Sequence, residues 1–311
     1  MKLLLPLLLA LGACSPVART DAPSDGASVA TMPAVLADTA RTRCSNCAAW
    51  NAPRAPFRIY GTTYYVGTAG LGAILVTSPD GHILIDGALR ESAPRIAASI
   101  EALGFRMADV RLILNSHAHY DHAGGLAALQ QASGATVAAS AASAAVLEAG
   151  VPGRDDPQYA ELIPLPMTPI RSVRVVADGE TVRVGPLALT ARATPGHTAG
   201  GTTWTWDACE GGRCLTLVYA DSISPVSEEG FRFSRSDRYP TVLADFARSF
   251  ATLETVPCDI LMTPHPEGSR LFERVAARDA GAADALVDPA ACSQYAAAGR
   301  ERLARRLETE G

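Results

Sequence analysis

Lysine is almost absent from this chain of 311 residues. The single lysine is Lys2, which stands at the start of an apolar N-terminal segment. The rest of the chain therefore has no Schiff-base lysine, no P-loop lysine and no Ser-x-x-Lys pair of the kind that one group of serine hydrolases uses. If the protein catalyses hydrolysis, it must activate its nucleophile in another way.

Basic surface charge and long apolar runs are also scarce. A net charge of −5 gives no basic patch of the kind that nucleic-acid-binding proteins show. The apolar run at residues 3–11 is too short to span a bilayer. With Lys2 before it and small residues after it, this run is typical of a secretion signal. We therefore expect residues 1–13 to be a signal peptide and the mature protein to reach the periplasm.

Cys14 follows the apolar run after two small residues, Gly12 and Ala13. The sequence LGAC at residues 11–14 resembles a bacterial lipobox, in which the cysteine is lipidated and becomes the first mature residue. It predicts that Cys14 anchors the protein to the outer membrane through a flexible tether at residues 14–43, which are rich in Ala, Ser, Thr, Pro and Asp. The alternative is an ordinary signal peptide that is cut elsewhere and takes Cys14 with it. Residues 44–311 would form the folded domain.

The other six cysteines are expected to form bridges, because an exported chain meets an oxidising compartment. Cys209 and Cys214 flank a Glu-Gly-Gly turn between two strand-like runs, and a bridge between Cys258 and Cys292 would tie the last helix to the body. Cys44 and Cys47 are then left for each other. They have the C-x-x-C spacing of redox pairs and half zinc knuckles, but without a second C-x-x-C or a βαβ context a structural bridge is favoured.

Strand and helix patterns alternate through both halves of the chain. The β-rich runs at residues 73–77 and 82–86 flank Ser-Pro-Asp-Gly, a hairpin turn sequence. Short apolar runs at 112–114 and 260–262 predict buried strands, and apolar residues at helical spacing between 242 and 253 predict an amphipathic helix. Two β-rich halves with helices, and no linker between them, predict a single α/β domain of two packed sheets with helices outside.

Histidines are concentrated at one place. Three of the six fall in HAHYDH, which follows the predicted strand at 112–114 after two intervening residues. His117 and His119 are two residues apart and can point to one side of an extended segment. Asp121 and His122, on the following turn, can face a second position. Neutral imidazoles and a carboxylate suit zinc, and two such ions would lie about 3.5–4 Å apart. The alternative, a chance cluster in an exposed loop, fits poorly with so few histidines.

Two further histidines stand where predicted strands end. His197 lies in TPGHTAG and His265 in TPHP. Either one alone would more often be structural, but a cluster that needs further ligands makes both predicted ligands. His82 lies beside a hairpin turn without such partners, and we expect it at the surface.

The segments SHAHYDH, GHTAG and TPHP resemble the metallo-β-lactamase superfamily, and YADS and PCDILMTPHP resemble its B3 subclass. The resemblance covers nearly the whole chain from about Trp50. It implies an αββα sandwich with two mixed sheets flanked by helices and two zinc ions at one edge. In other subclasses a cysteine binds the second zinc, but here Ser222 stands at that position and His122 replaces the cysteine. The implied ligands are His117, His119 and His197 for one zinc and Asp121, His122 and His265 for the other.

The resemblance also implies an activity, which is hydrolysis of the β-lactam amide of penicillins, cephalosporins and carbapenems. Zinc lowers the pKa of its water to about 7, so no covalent enzyme intermediate is needed. Asp121 would orient the nucleophile, and Ser222 and Ser224 would bind the substrate carboxylate, with ordinary loop solvation as the alternative for both serines. Asp86 and Ser116 would orient the ligand loop. We expect a monomer without a nucleic-acid partner.

Two rival functions remain open at this point. Lactonases and glyoxalase-type thioesterases of the same fold place a bridging aspartate near the YADS segment, where Asp221 would serve. A zinc-storage or zinc-transport lipoprotein would bind the metal without catalysis. Ligands that are spread over three strand ends suit an open catalytic site better than closed storage.

Overall fold

The computed structural model describes residues 41–310, together with Met1 and Leu36. The predicted signal peptide, Cys14 and most of the predicted tether lie outside the described residues. Among the helices that are described, none combines the length and the apolar character that a membrane crossing requires.

The first half of the chain forms a seven-stranded mixed sheet. Its first four strands pair antiparallel, and β4 to β7 pair parallel. Because parallel neighbours end at the same edge, the residues that follow β4 and β5 meet there. In spatial order the strands are β1 (Phe57–Tyr60), β2 (Thr63–Tyr65), β3 (Ile74–Ser78), β4 (Gly81–Ile85), β5 (Val110–Leu114), β6 (Thr136–Ala139) and β7 (Val173–Val175).

The second half forms a five-stranded sheet in the order β12-β11-β10-β9-β8. All its neighbours are antiparallel except β11 and β12. Gly211 and Gly212 have φ angles of 58° and 83° and form the two-residue turn between β10 and β11. This register places Cys209 opposite Cys214, and the two are disulfide-bonded. The strands are β8 (Thr181–Val184), β9 (Leu187–Ala193), β10 (Thr202–Glu210), β11 (Arg213–Tyr219) and β12 (Ile260–Met262).

Helices cover the outer faces of the two sheets. The first disulfide, Cys44–Cys47, joins the chain before the short first helix to the first residue of that helix, and Cys258–Cys292 ties the last helix to the segment before β12. The helices are α1 (Cys47–Trp50), α2 (Ala93–Ala102), α3 (Tyr120–Ala123), α4 (Leu126–Ser133), α5 (Ala141–Ala149), α6 (Tyr159–Leu162), α7 (Val242–Thr255), α8 (Leu271–Asp279) and α9 (Ala291–Glu310).

Three apolar layers hold the sheets and helices together. Strand alternation sends Ile83 and Ile85 towards the other sheet, where Trp204 packs, and sends Leu84 to the opposite face. The outer layer of the first sheet contains side chains of α2, α4 and α5, and that of the second sheet contains side chains of α7 and α9. The predicted αββα sandwich of two mixed sheets is therefore confirmed.

The prediction for His82 is wrong. Its side chain is buried, with 6% exposure, because β4 is an interior strand between β3 and β5. Its ring packs edge-on against Phe105, which follows α2, with the centroids 5.1 Å apart. Burial lowers the pKa of His82, so a neutral ring is favoured there.

Candidate metal centre

Strand ends from both sheets deliver the site residues to one edge of the sandwich. His117 and His119 lie in the loop that follows β5, and the short helix α3 then carries Asp121 and His122. His197 follows β9 and His265 follows β12. Two groups of potential ligands result, and within each the ligand atoms lie within 4.8 Å of one another. The first is His117, His119 and His197, and the second is Asp121, His122 and His265.

His117 lies at the centre of the two groups and is completely buried. Its Nδ1–H donates to Asp221 Oδ1 over 2.7 Å, while its Nε2 is buried without a hydrogen-bond partner. Burial, followed by the charges of neighbouring histidines, holds the pKa of His117 well below its ordinary value. A buried neutral nitrogen without a partner is costly unless a cation or a donor meets it. This nitrogen therefore fits a metal ligand.

The other two histidines of the first group have one ring nitrogen engaged in the same way. His119 Nε2–H donates to Asp156 Oδ2 over 2.8 Å, which leaves Nδ1 to bind a metal. His197 Nδ1–H donates to the carbonyl oxygen of Ser224 over 2.9 Å, which leaves Nε2. Burial lowers the pKa of His197 to about 3. At His119 burial acts in the same direction, but the Asp156 carboxylate outweighs it and raises the pKa. Such partners fix the tautomer and the ring orientation of metal-binding histidines.

The second group surrounds the Asp121 carboxylate. Asp121 Oδ2 lies 3.2 Å from His122 Nε2 and 3.4 Å from His265 Nε2. His265 Nδ1–H donates to the carbonyl oxygen of Gly70 over 3.2 Å. Burial opposes ionisation of Asp121, but His122 and His265 outweigh it and hold its pKa well below the ordinary value. An ionised carboxylate beside two imidazoles is a donor set that zinc accepts.

The two groups are neighbours in space. The rings of His117 and His122 have centroids 4.5 Å apart, and those of His117 and His197 are 4.9 Å apart. Trp50 lies against His265 at 5.1 Å between ring centroids and so covers one side of the second group. The five imidazoles and one carboxylate therefore fit two cations at a shared site.

Asp86 fastens the loop that carries the histidines. It follows β4, is fully buried and has a φ of 61°, a strained value that costs about 1–3 kcal/mol. It accepts hydrogen bonds from Ser116 N at 2.8 Å and from Ser116 Oγ at 2.6 Å. Asn115 Nδ2 and the Tyr219 hydroxyl donate to it over 3.1 and 3.0 Å. Asp86 thus links β4, the ligand loop and β11.

The YADS segment begins at the last residue of β11, and the residues from Asp221 to Ser224 lie in two different environments. Asp221 is fully buried behind the His117 ring, and burial raises the pKa of its carboxyl well above the ordinary value. It contacts Nδ1 and not the unpartnered Nε2, and it belongs to neither ligand group. Ser222 and Ser224 line a cavity together with His265. Asp221 therefore lies where it supports a ligand and not where the lactonase or thioesterase alternative needs it.

Asp156 was not predicted to take part in the site. It lies in the segment between α5 and α6, and 37 residues separate it from His119. Its second oxygen accepts from the backbone N–H of Gln158 over 2.8 Å, which holds the carboxylate in place. A Gly-Arg-Asp-Asp-Pro turn gives no local sign of which aspartate turns inward.

Replacing Asp156 by alanine should weaken zinc binding about 10- to 100-fold, because His119 then loses the acceptor that fixes its tautomer. Asp156→Asn should have a smaller effect, because the amide oxygen still accepts the Nε2–H. Competition with a chromophoric chelator measures the affinity. The matched control is Asp155→Ala, which removes an exposed neighbouring carboxylate. Equal affinities of wild type and Asp156→Ala would refute this role.

The chain is similar to known proteins over most of its length. The family model of the metallo-beta-lactamase superfamily matches residues 73–209. The solved Rm3 metallo-beta-lactamase is 57% identical, with 86% of this chain and 99% of that chain covered and a TM-score of 0.84. MEM-A1, a subclass B3 metallo-beta-lactamase isolated from a soil metagenome library, is 52% identical, with 84% and 98% covered and a TM-score of 0.82.

A third solved structure agrees with these two. The metallo-beta-lactamase SMB-1, solved with 2-mercaptoethanesulfonate, is 47% identical, with 84% of this chain and 99% of that chain covered and a TM-score of 0.81. Each of the three solved chains is matched almost completely, so the similarity is not confined to the histidine motif.

Proposed function

This chain belongs to subclass B3 of the metallo-β-lactamase superfamily, and on that premise we propose that it hydrolyses the amide bond of β-lactam antibiotics in a zinc-dependent reaction. The observation that carries the proposal is the pair of adjacent ligand groups, three histidines beside Asp-His-His, at one edge of the sandwich. The site draws on several strand ends, as open catalytic sites do, and its ligand nitrogens and carboxylate are those that zinc accepts.

Zinc would be held by His117, His119 and His197 at one position and by Asp121, His122 and His265 at the other. Bound zinc polarises a carbonyl oxygen and makes water a usable nucleophile at neutral pH. The hydrogen bonds of Asp221, Asp156 and the Ser224 carbonyl keep the three histidines of the first group in one tautomer each.

Protein side chains orient the attacking water and bind the substrate. The Asp121 carboxylate is ionised at neutral pH and accepts a hydrogen bond from the attacking water, which orients it. The hydroxyl groups of Ser222 and Ser224 donate to the carboxylate that β-lactams carry beside the ring. No covalent intermediate with the protein is required, in agreement with the lack of lysine beyond Lys2.

We extend the proposal to penicillins, cephalosporins and carbapenems, because all three present a strained lactam amide and a nearby carboxylate. An enzyme of this kind that confers resistance meets its substrates in the periplasm. The secretion-type segment at residues 1–13 and the lipobox-like Cys14 favour a periplasmic protein anchored to the outer membrane. We expect this protein to be a monomer.

A substrate panel separates this function from its rivals. Purified zinc-loaded protein should open benzylpenicillin, a chromogenic cephalosporin and a carbapenem, and should leave a homoserine lactone and a glutathione thioester nearly untouched. Faster turnover of the lactone or thioester would move the assignment to those hydrolases. Zinc-loaded protein that turns over none of the five would be a binding protein.

A further inference from the structure

A cavity of about 340 Å³ opens beside the second ligand group. This volume is at the lower end of the range for small-molecule sites, about 300–1,000 Å³. Its walls come from the YADS segment, from the turn after β12 that carries His265, and from α9. Ser222 and Ser224 form part of the wall, so the cavity adjoins the place where the substrate carboxylate is proposed to bind.

One face of α9 lines this cavity. Ala291, Tyr295, Ala298 and Arg302 recur every three or four residues, which places them on the same side of the helix. The helix lies close to the YADS segment because Gly299 has no side chain. A Cβ there would come within 2.6 Å of Ile223 Cδ1, and Ile223 stands between the two serines. The Tyr295 hydroxyl donates to the carbonyl oxygen of Asp221 over 3.2 Å and fixes this contact.

Of the three arginines that line the cavity, Arg302 is the one whose guanidinium pairs with no carboxylate of the described residues. Arg270 pairs with Glu273 and Arg274 pairs with Asp288. Among the residues that the structure describes, Arg302 has no ion pair or hydrogen bond, and its Nε is buried without a partner. Glu267 is the acidic residue of the wall, and it is exposed to solvent. A partly buried guanidinium without an acceptor is unfavourable, and a carboxylate is the ligand that matches its planar fork.

We propose that Arg302, which lines the same cavity as Ser222, is the charged partner of the substrate carboxylate. The assignment rests on the proposed β-lactam hydrolysis and names a specificity-determining residue for it. Arg302 selects anionic substrates and belongs to neither ligand group. Its contribution is present in the bound substrate and in the transition state alike, so its loss raises KM and leaves kcat unchanged.

The test compares a chromogenic cephalosporin as the free acid with its methyl ester. We expect Arg302→Gln to raise KM for the acid about 10- to 100-fold, the value of a hydrogen-bonded ion pair, and to leave kcat and the ester's kinetics unchanged. Arg302→Lys keeps the charge without the fork and should recover part of the loss. The control is Arg305→Gln, an exposed arginine of the same helix that faces Glu301. An unchanged KM for the acid, or an equal rise for acid and ester, would overturn the proposal.

A binding measurement separates this inference from the proposed function. Calorimetric titration with benzylpenicilloate, the ring-opened penicillin, needs no turnover. Wild type should bind it about 10- to 100-fold more tightly than Arg302→Gln. If wild type binds benzylpenicilloate more tightly than Arg302→Gln does but opens no β-lactam, the role of Arg302 is supported and the proposed hydrolytic function is refuted. Equal binding by the two proteins would refute the role of Arg302 whatever the activity.

Discussion

Replacing His117 with alanine is expected to lower the hydrolysis of a chromogenic cephalosporin by about a thousandfold or more, since a metal in such a site contributes several kcal/mol to catalysis. His117 is completely buried, and its Nε2 has no hydrogen-bond partner, which leaves this nitrogen for the metal. Its ring packs against those of His119, His122 and His197, so its loss disturbs both groups.

The same substitution should also destabilise the fold. Asp221 is fully buried, and it loses the Nδ1–H that donates to it. A buried polar group without its partner costs about 1–3 kcal/mol. Steady-state kinetics and zinc analysis of the purified variant measure the first effect, and urea unfolding measures the second.

His82→Ala is the matched control, because it also removes a buried imidazole but lies in β4 and belongs to neither ligand group. It should lower stability and keep both zinc content and kcat. If His117→Ala retained activity within about tenfold of wild type, a gap of about 1.4 kcal/mol, the first ligand group would not be the catalytic one.

Asp121→Asn is the second substitution with a large expected effect. The change keeps the size of the side chain and removes the charge that His122 and His265 surround at 3.2 and 3.4 Å. We expect zinc content to fall from two per chain towards one and turnover to fall about 100- to 1,000-fold, because the second group loses its only anion.

Asp207→Asn makes the same chemical change at an exposed position, where the carboxylate accepts from Thr216 Oγ1. It should leave zinc content and turnover unchanged. An Asp121→Asn variant with full turnover and a single zinc would show that the second group is dispensable, contrary to the mechanism proposed above.

The parts of the fold and the site that depend on residues close together in the sequence could be predicted from local sequence patterns. The run LIL before HAHYDH predicts a buried strand that ends in a loop of ligands, and β5 followed by His117 and His119 has that form. The hairpin of β10 and β11 likewise follows from its two glycines. Helix α5 was not predicted, because its alanine-rich sequence has no contrast between an apolar and a polar face.

Contacts between residues that are far apart along the chain could not be predicted from the sequence. Asp156 reaches His119 across 37 residues and Asp221 reaches His117 across 104, and neither separation follows from a local period. Asp221 was considered only as a rival metal ligand, because its position behind the ring depends on how β11 pairs with its neighbours. His82 was misplaced for a similar reason, since its burial is completed by Phe105 beyond α2.

The most direct test of the central claim is hydrolysis of a chromogenic cephalosporin and a carbapenem by the purified, zinc-loaded protein, before and after treatment with a chelator. We predict turnover of both substrates, its loss with the chelator, and its return when about two zinc ions per chain are restored. Turnover that survives removal of the metal, or its absence in protein shown to hold two zinc ions, would contradict the account.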